Sequence, residues 1–238
     1  MTTPPTPRAS RHARVNLIFI GPPGSGKGTQ AVRIADRYRV PHISTGDILR
    51  AAVKAGTPLG RQVAATLAGG GLVGDDLMTD LVRSRLQQPD AQHGFLLDGF
   101  PRTVAQAHTL DELLGGAVLI VTMLSVATDA IVQRLSNRRI CDACGITQSV
   151  FVGSEGENEA CPYCGGRLVR RQDDAPETIR RRLENYAAVA EPLIAYYRDR
   201  PSFATIDGLQ RPDDVTAAIT AHIDRQRILL ADRLREPD

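Results

Sequence analysis

The chain has 238 residues, 42% of them hydrophobic and 24% charged, enough aliphatic material to bury one sizeable α/β core. A formal net charge of +2 gives no global attraction for a polyanion such as nucleic acid. The longest apolar run, around residues 117–124, is far short of the ~20 residues that a membrane span requires.

Residues 1–14 contain three prolines, three arginines, one histidine and no acid. They lack the apolar stretch of a secretory signal, and Pro4, Pro5 and Pro7 oppose an amphipathic helix, so the segment reads as a disordered tail. Five short segments rich in Val, Ile, Leu and Phe follow, at 15–20, 40–44, 95–98, 118–124 and 203–206. Stretches with helical spacing, such as 29–38 and 75–86, lie between them. Continuous apolar strands alternating with helices predict a parallel sheet covered on both faces, with phosphate ligands at the carboxyl ends of its strands.

Two stretches break the alternation. Residues 44–73 hold a helical stretch that ends in Gly69-Gly70-Gly71, where a glycine run makes a hinge cheap and predicts a mobile flap. Residues 137–174 are glycine-rich, weakly periodic and hold all four cysteines, which reads as an inserted lid. The remaining stretches, 15–43, 74–136 and 175–238, form the predicted core. Asp174-Ala175-Pro176-Glu177 reads as a helix start, with Asp174 as its cap. Residues 224–238 read as a final, mostly solvated amphipathic helix.

The first strand runs straight into Gly21-Pro22-Pro23-Gly24-Ser25-Gly26-Lys27-Gly28-Thr29-Gln30. In a strand–glycine loop–helix unit, consecutive N–H groups curl around an anion and the helix N-terminus adds positive potential. Gly24, Ser25, Gly26, Lys27, Gly28 and Thr29 are therefore the candidate cradle for a nucleotide phosphate. Lys27 reaches the β- and γ-phosphates, and the Thr29 hydroxyl lies near a magnesium position. The strict pattern has Ser or Thr directly after the lysine, where this chain has Gly28.

Cys141-Asp142-Ala143-Cys144-Gly145 and Cys161-Pro162-Tyr163-Cys164-Gly165 are two C-x-x-C-G knuckles, with sixteen residues between Cys144 and Cys161. Cys141, Cys144, Cys161 and Cys164 together make a closed four-thiolate site, which is structural because it leaves no open position. Zinc is the favoured ion. Iron and paired disulfides are the alternatives. With no export signal, the expected location is the cytoplasm.

Lys27-Gly28-Thr29 in place of the usual loop ending is the form found in nucleoside monophosphate kinases, and further segments resemble the adenylate kinase family in particular. Ile43-Ser44-Thr45-Gly46-Asp47-Ile48-Leu49-Arg50 is similar to the segment that opens that family's AMP flap, and Gly71-Leu72-Val73 to the flap's end. Gly94-Phe95-Leu96-Leu97-Asp98-Gly99-Phe100-Pro101-Arg102-Thr103, followed by Gln106, is similar to its third-strand motif. Arg134, Arg138, Arg139, Arg171, Asp173, Asp174, Glu177, Arg180 and Arg182 fit its lid hinges, and Ile206-Asp207-Gly208 its last strand. The motifs run in register from about residue 15 to residue 208.

The resemblance implies a P-loop NTPase fold with a five-stranded parallel sheet, an AMP-binding flap and a zinc-ribbon-like lid. It implies reversible Mg²⁺-dependent transfer of a phosphoryl group, ATP and AMP giving two ADP, by a cytoplasmic monomer. Such transfer needs in-line positioning and positive charge more than covalent chemistry, and Lys27, Arg102, Arg138, Arg171 and Arg182 are the cations placed around the transferring group. Arg134, Arg138, Thr147, Gln148 and Gln210 join the loop on the ATP side. On the AMP side stand Thr45, Arg50, Gly71, Leu72, Val73, Gly99, Phe100, Pro101, Arg102, Gln106, Arg171 and Arg182. Arg50 and Arg102 grip its phosphate, and Thr45 and Gln106 face its adenine. Asp98 corresponds to the carboxylate that reaches magnesium through water.

The chain departs from the family where an aromatic residue often follows Thr147, here Gln148, and where a lysine is common at position 210, here Gln210. Both touch the donor-base region, which leaves ATP and GTP open as donor. Thr45 and the long cysteine-bearing lid argue against a pyrimidine monophosphate kinase. A nucleic-acid-binding ribbon is disfavoured because residues 134–182 hold nine Lys/Arg against seven Asp/Glu, with Phe151 and Tyr163 the sole aromatics. Arg181 reads as solvent-facing, and His42, His93, His108 and His222 as isolated residues without catalytic work.

Overall fold

The computed structural model describes residues 14–149 and 160–233. The tail expected over residues 1–14 lies outside these but for Arg14, as do residues 150–159 of the predicted lid and the last five residues.

Five parallel strands, β1 (Val15–Ile20), β2 (His42–Ser44), β3 (Gly94–Asp98), β4 (Leu119–Ser125) and β8 (Phe203–Asp207), form one sheet in the order β2-β3-β1-β4-β8. All six residues of β1 are buried, as a strand covered on both faces requires. Because side chains alternate across a strand, Ile18 and Ile20 enter one apolar core while Val15, Leu17 and Phe19 enter the other. The first core is closed by α4 (Asp75–Leu86), α5 (Val104–Leu114) and α7 (Pro176–Arg198). The second is closed by α1 (Lys27–Tyr38) and α8 (Pro212–Arg233). The predicted α/β architecture with a five-stranded parallel sheet is the observed one.

The flap consists of α2 (Thr45–Lys54) and α3 (Pro58–Ala68). Ser44 Oγ accepts from the Asp47 N–H at 3.3 Å and Thr57 Oγ1 from the Gly60 N–H at 3.0 Å, so each helix starts on a side-chain cap. Gly60 lets the two helices touch, since a Cβ there would lie 2.1 Å from the Ala52 carbonyl oxygen. After α6 (Thr128–Ser136), the lid is a three-stranded antiparallel sheet of β5 (Arg138–Cys141), β6 (Thr147–Ser149) and β7 (Leu168–Val169). Among the described residues its buried apolar cluster is small: Cys141, Cys161 and Leu168, with Ile146 against them.

Two local expectations are corrected. Asp174 does not cap α7; the cap position is Ala175, without a side-chain hydrogen bond, while the buried Asp174 carboxylate turns towards Arg138 and Arg182. An aspartate with two guanidiniums in reach gains more from them than from one backbone N–H. The last helix begins at Pro212, well before residue 224, and buries Val215, Ile219 and Ile223 against the sheet.

Candidate active site

The loop after β1 owes its shape to glycines. Gly21 has φ +146° and a Cβ there would lie 2.5 Å from the Leu124 carbonyl oxygen; Gly26 has φ +97° and open space around it. Lys27 folds back into the loop, its Nζ donating to the carbonyls of Gly21 at 2.7 Å and Pro22 at 2.8 Å. Burial lowers its pKa to about 8, against the opposing pull of Asp98. Thr29 is exposed on the first turn of α1. The turn after β8 abuts the loop, for a Cβ on Gly208 would lie 2.9 Å from the Ser25 carbonyl oxygen, and Gln210 follows in that turn. Leu135 and Ile131 of α6 pack on Gly24, and Arg134 on the same helix is half-buried.

Asp98 ends β3 with its carboxylate beside α1, 3.6 Å from where a Cβ on Gly28 would be. Gly28 thus leaves open the space next to that carboxylate, which suits a hydrated cation held between Asp98 and nucleotide phosphates. Burial alone would raise the Asp98 pKa, but His42 and Lys27 outweigh it and hold the group ionised. His42 Nε2 lies 3.7 Å from Asp98 Oδ2 and has no hydrogen-bond partner. The expectation that His42 stands alone is therefore corrected. The parallel pairing of β2 on β3 places Ser44 opposite Asp98 and His42 two residues behind, a neighbourhood that no local motif encodes.

Around this centre the arginines converge. Arg138 binds Asp174 in a fork, with Nε to Oδ2 at 2.7 Å, and Arg182 Nη1 reaches Asp174 at 3.2 Å and Asp173 at 3.1 Å. Arg182 is thus itself the arginine that pairs with these acids, whereas Arg180 is exposed. Arg171 donates to Thr147 Oγ1 at 3.1 Å and leaves its buried Nε without a partner. Burial together with Arg50 and Arg138 lowers its pKa to about 10. Gln148 follows Thr147 on β6, paired across from Arg139. Lid and flap approach each other through Arg50–Asp173 at 3.8 Å and Arg171–Asp47 at 3.9 Å. Arg50 also pairs with Asp47 on its own helix. Burial and like-charged neighbours acting on Arg102, Arg171 and Arg182 mark a concentration of cations with room for an anion.

A cavity beneath the flap gathers Arg50, Gly71, Leu72, Val73, Arg102, Gln106 and Arg182, seven of the residues assigned to the monophosphate, together with Asp75 and Met78. The other five lie outside its lining. Thr45 is fully buried and donates its hydroxyl to the Gly99 carbonyl at 3.0 Å, and the Phe100 side chain is part of the core, joined to Pro101 by a cis peptide bond. Arg102 Nε donates to the Gly99 carbonyl at 2.8 Å. Two contacts escaped the sequence. Arg181 donates to the Gly69 carbonyl at 3.1 Å and Asn185 to that of Gly70 at 3.0 Å, so the flap's glycine run is held against α7. A larger cavity, about 360 Å³, lies at the far ends of the strands; its Asp111 and Arg200 bind each other, and it contains no predicted site residue.

In the lid, Cys141 Sγ lies 3.5 Å from Cys164 Sγ and Cys144 Sγ 3.7 Å from Cys161 Sγ, with all four sulfurs within 4.8 Å of one another. The cysteines are free. A tetrahedron with metal–sulfur bonds of about 2.3 Å has edges of about 3.8 Å, so the donors fit one ion, whereas paired disulfides need about 2.05 Å. The Cys144 N–H directed at Cys141 Sγ lowers that thiol's pKa to about 7, towards the thiolate that a metal requires.

A phosphate loop at the carboxyl end of a parallel sheet, a flap over a small cavity and an arginine-bearing lid define the nucleoside monophosphate kinase class. The profile of the Adenylate kinase family matches residues 19–202. Among curated relatives, the adenylate kinase of Thermodesulfovibrio yellowstonii is 43% identical over 215 residues, covering 89% of this chain and all of that protein. That of Moorella thermoacetica is 47% identical over 208 residues, 86% and 96% of the two chains, and that of Archaeoglobus fulgidus 43% over 214, 89% and 99%. The chain belongs to the adenylate kinase family.

Proposed function

We propose that the protein moves a phosphoryl group reversibly between Mg·ATP and AMP, giving two ADP. The observation that carries this is the convergence of the Lys27 loop and the flap cavity on one cluster of arginines. The donor triphosphate lies along Gly24–Thr29, with Arg134, Arg138, Thr147, Gln148 and Gln210 lining its path. AMP enters the cavity with its phosphate towards Arg50, Arg102 and Arg182 and its base towards Gln106 and the main chain of Gly71–Val73. Lys27, Arg102, Arg138, Arg171 and Arg182 draw charge off the transferring group. No protein nucleophile is needed, because the acceptor's own phosphate oxygen attacks. Magnesium, when bound near Asp98 and Thr29, neutralises phosphate charge.

Residues 44–73 act as the acceptor flap and 137–174 as the donor lid, and their closure excludes the water that would otherwise take the phosphoryl group. The lid metal is zinc, held by Cys141, Cys144, Cys161 and Cys164, and it replaces the core that so small a module cannot build. The enzyme works as a cytoplasmic monomer with nucleotide partners and neither nucleic acid nor membrane. Among the described residues no helix is long and apolar enough to cross a membrane.

The test is a coupled assay of purified protein with Mg·ATP against AMP, CMP, UMP and GMP, repeated with Mg·GTP. Strong turnover restricted to AMP supports the reading. Preference for another monophosphate moves the substrate, and no transfer from folded, metal-loaded protein overturns it.

A further inference from the structure

Gln106, 2% exposed in the first turn of α5, forms part of the wall of the flap cavity. A glutamine amide carries no preferred orientation of its own: turned over, it exchanges a donor and an acceptor at nearly the same positions. Here two neighbours dictate one choice. The Arg102 main-chain N–H can only donate, and it does so to Gln106 Oε1 at 2.8 Å. The Asp75 carboxylate can only accept, and its Oδ1 receives Gln106 Nε2 at 2.8 Å. Its Oδ2 accepts from Thr103 Oγ1 at 2.8 Å, and that same hydroxyl oxygen accepts the Gln106 N–H at 3.2 Å, which closes a ring and stops the carboxylate from rotating. Turning the amide over would set NH₂ against N–H and a carbonyl oxygen against a carboxylate, two buried mismatches at once.

The groups left free are one lone pair on Oε1 and one hydrogen on Nε2. That pair complements a base edge offering an amine donor next to a ring-nitrogen acceptor, as the 6-amino group of adenine does. A 6-oxo purine presents a carbonyl acceptor where Oε1 expects a donor. We infer that Asp75 is a specificity-determining positioning residue: by fixing the face that Gln106 turns to the base, it makes the acceptor site select a 6-amino over a 6-oxo purine monophosphate. The inference rests on the acceptor-site reading under Proposed function. Asp75 acts through Gln106, because its Oδ1 holds the Gln106 amide and its Oδ2 holds the Thr103 hydroxyl that caps the same turn.

The experiment compares kcat/KM for AMP and inosine monophosphate, with saturating Mg·ATP, in wild type, Asp75→Asn and Asp75→Glu. Asparagine offers either a donor or an acceptor, so it removes one of the two locks. The wild type should favour AMP, and Asp75→Asn should cut the AMP-to-IMP ratio by about tenfold, the worth of one buried hydrogen-bond mismatch. AMP should lose efficiency while IMP gains it, with KM for Mg·ATP unchanged. Asp75→Glu keeps an acceptor-only anchor and should preserve the ratio even at reduced turnover. Equal losses for both monophosphates in Asp75→Asn, the mark of a merely structural role, would overturn the inference, as would loss of the ratio in Asp75→Glu. A wild type that uses AMP and IMP equally well would instead sink the adenine-reading cavity itself, and the inference with it.

Discussion

Asp174→Asn isolates the charge that holds the lid hinge to the core without changing its shape. The Asp174 side chain has no solvent exposure and lies between Arg138 and Arg182, whose side chains are 14% and 20% exposed. Asparagine can keep an oxygen where the two guanidiniums meet, but it turns an NH₂ towards Arg138 Nε and removes the negative charge, so the largely buried Arg138 loses its counter-ion while Arg182 keeps Asp173. Breaking such a pair from one side costs about 3 kcal/mol. For a chain of this size each kcal/mol moves Tm by roughly 2–4 °C, so the variant should melt about 6–12 °C below wild type. Scanning calorimetry of zinc-loaded protein measures this directly. Nucleotide should narrow the gap, because phosphates bound beside Arg138 and Arg182 restore the missing negative charge and stabilise the folded state by mass action. A drop that is the same with and without Mg·ADP would show that Asp174 serves packing alone. No drop at all would refute the electrostatic argument.

Three further outcomes are expected. With a pKa of about 8, Lys27 carries its charge below that pH and loses it above, so kcat/KM for Mg·ATP, which reports the free enzyme, should fall as pH rises through about 8. A profile flat to pH 10, or full turnover by Lys27→Ala, would remove this lysine from the mechanism. Cys161→Ser should lose bound zinc by mass spectrometry and lower Tm, because structural zinc contributes on the order of several kcal/mol to a module with so small a core, while turnover at low temperature suffers less. Equal melting of variant and wild type would exclude a stabilising metal. Gly70→Ala forces a side chain into φ +70°, a cost of about 1–2 kcal/mol, and puts its Cβ 2.9 Å from Arg182 Cγ, so KM for AMP should rise with KM for Mg·ATP little changed; an unaltered KM for AMP would show that the flap closes without seating on α7.

The elements legible in the sequence are those whose signal is local. β1 is a run of apolar residues ending in a glycine loop, and α4 spans the predicted 75–86 because its apolar period matches its length. The cysteine knuckles were readable because ligand spacing is fixed by the turn that presents them. The lid strands carried no such signal, since β7 has two residues and the lid core is mostly cysteine. What escaped was pairing across the fold. His42 meets Asp98 only because β2 lies beside β3, and Arg181 and Asn185 meet the flap only because α7 passes under Gly69 and Gly70. Asp174 looked like a helix cap because the cap pattern is local, whereas the two arginines that claim it stand 36 residues before it and 8 after.

The distribution of charge explains how such a site folds at all. Lys27, Arg50, Arg102, Arg138, Arg171 and Arg182 would repel one another if buried without counter-charge, and burial already lowers the pKa of four of them. Asp47, Asp98, Asp173 and Asp174 lie among them, each within 4 Å of an arginine or, for Asp98, beside Lys27 and His42. Three of these acids lie outside the sheet's own strands: Asp47 on α2, Asp173 and Asp174 just after β7. The arginines are thus held in place by carboxylates of the flap and the lid, and incoming phosphate, with more charge and more acceptor oxygens, competes for the same forks. Arg171 shows where that competition is most favourable to substrate, because its nearest carboxylate is 3.9 Å away and its buried Nε has no partner. An arginine so weakly claimed by protein gains most from a phosphate oxygen, which makes Arg171 the lid residue whose loss should most reduce the rate for a given loss of stability.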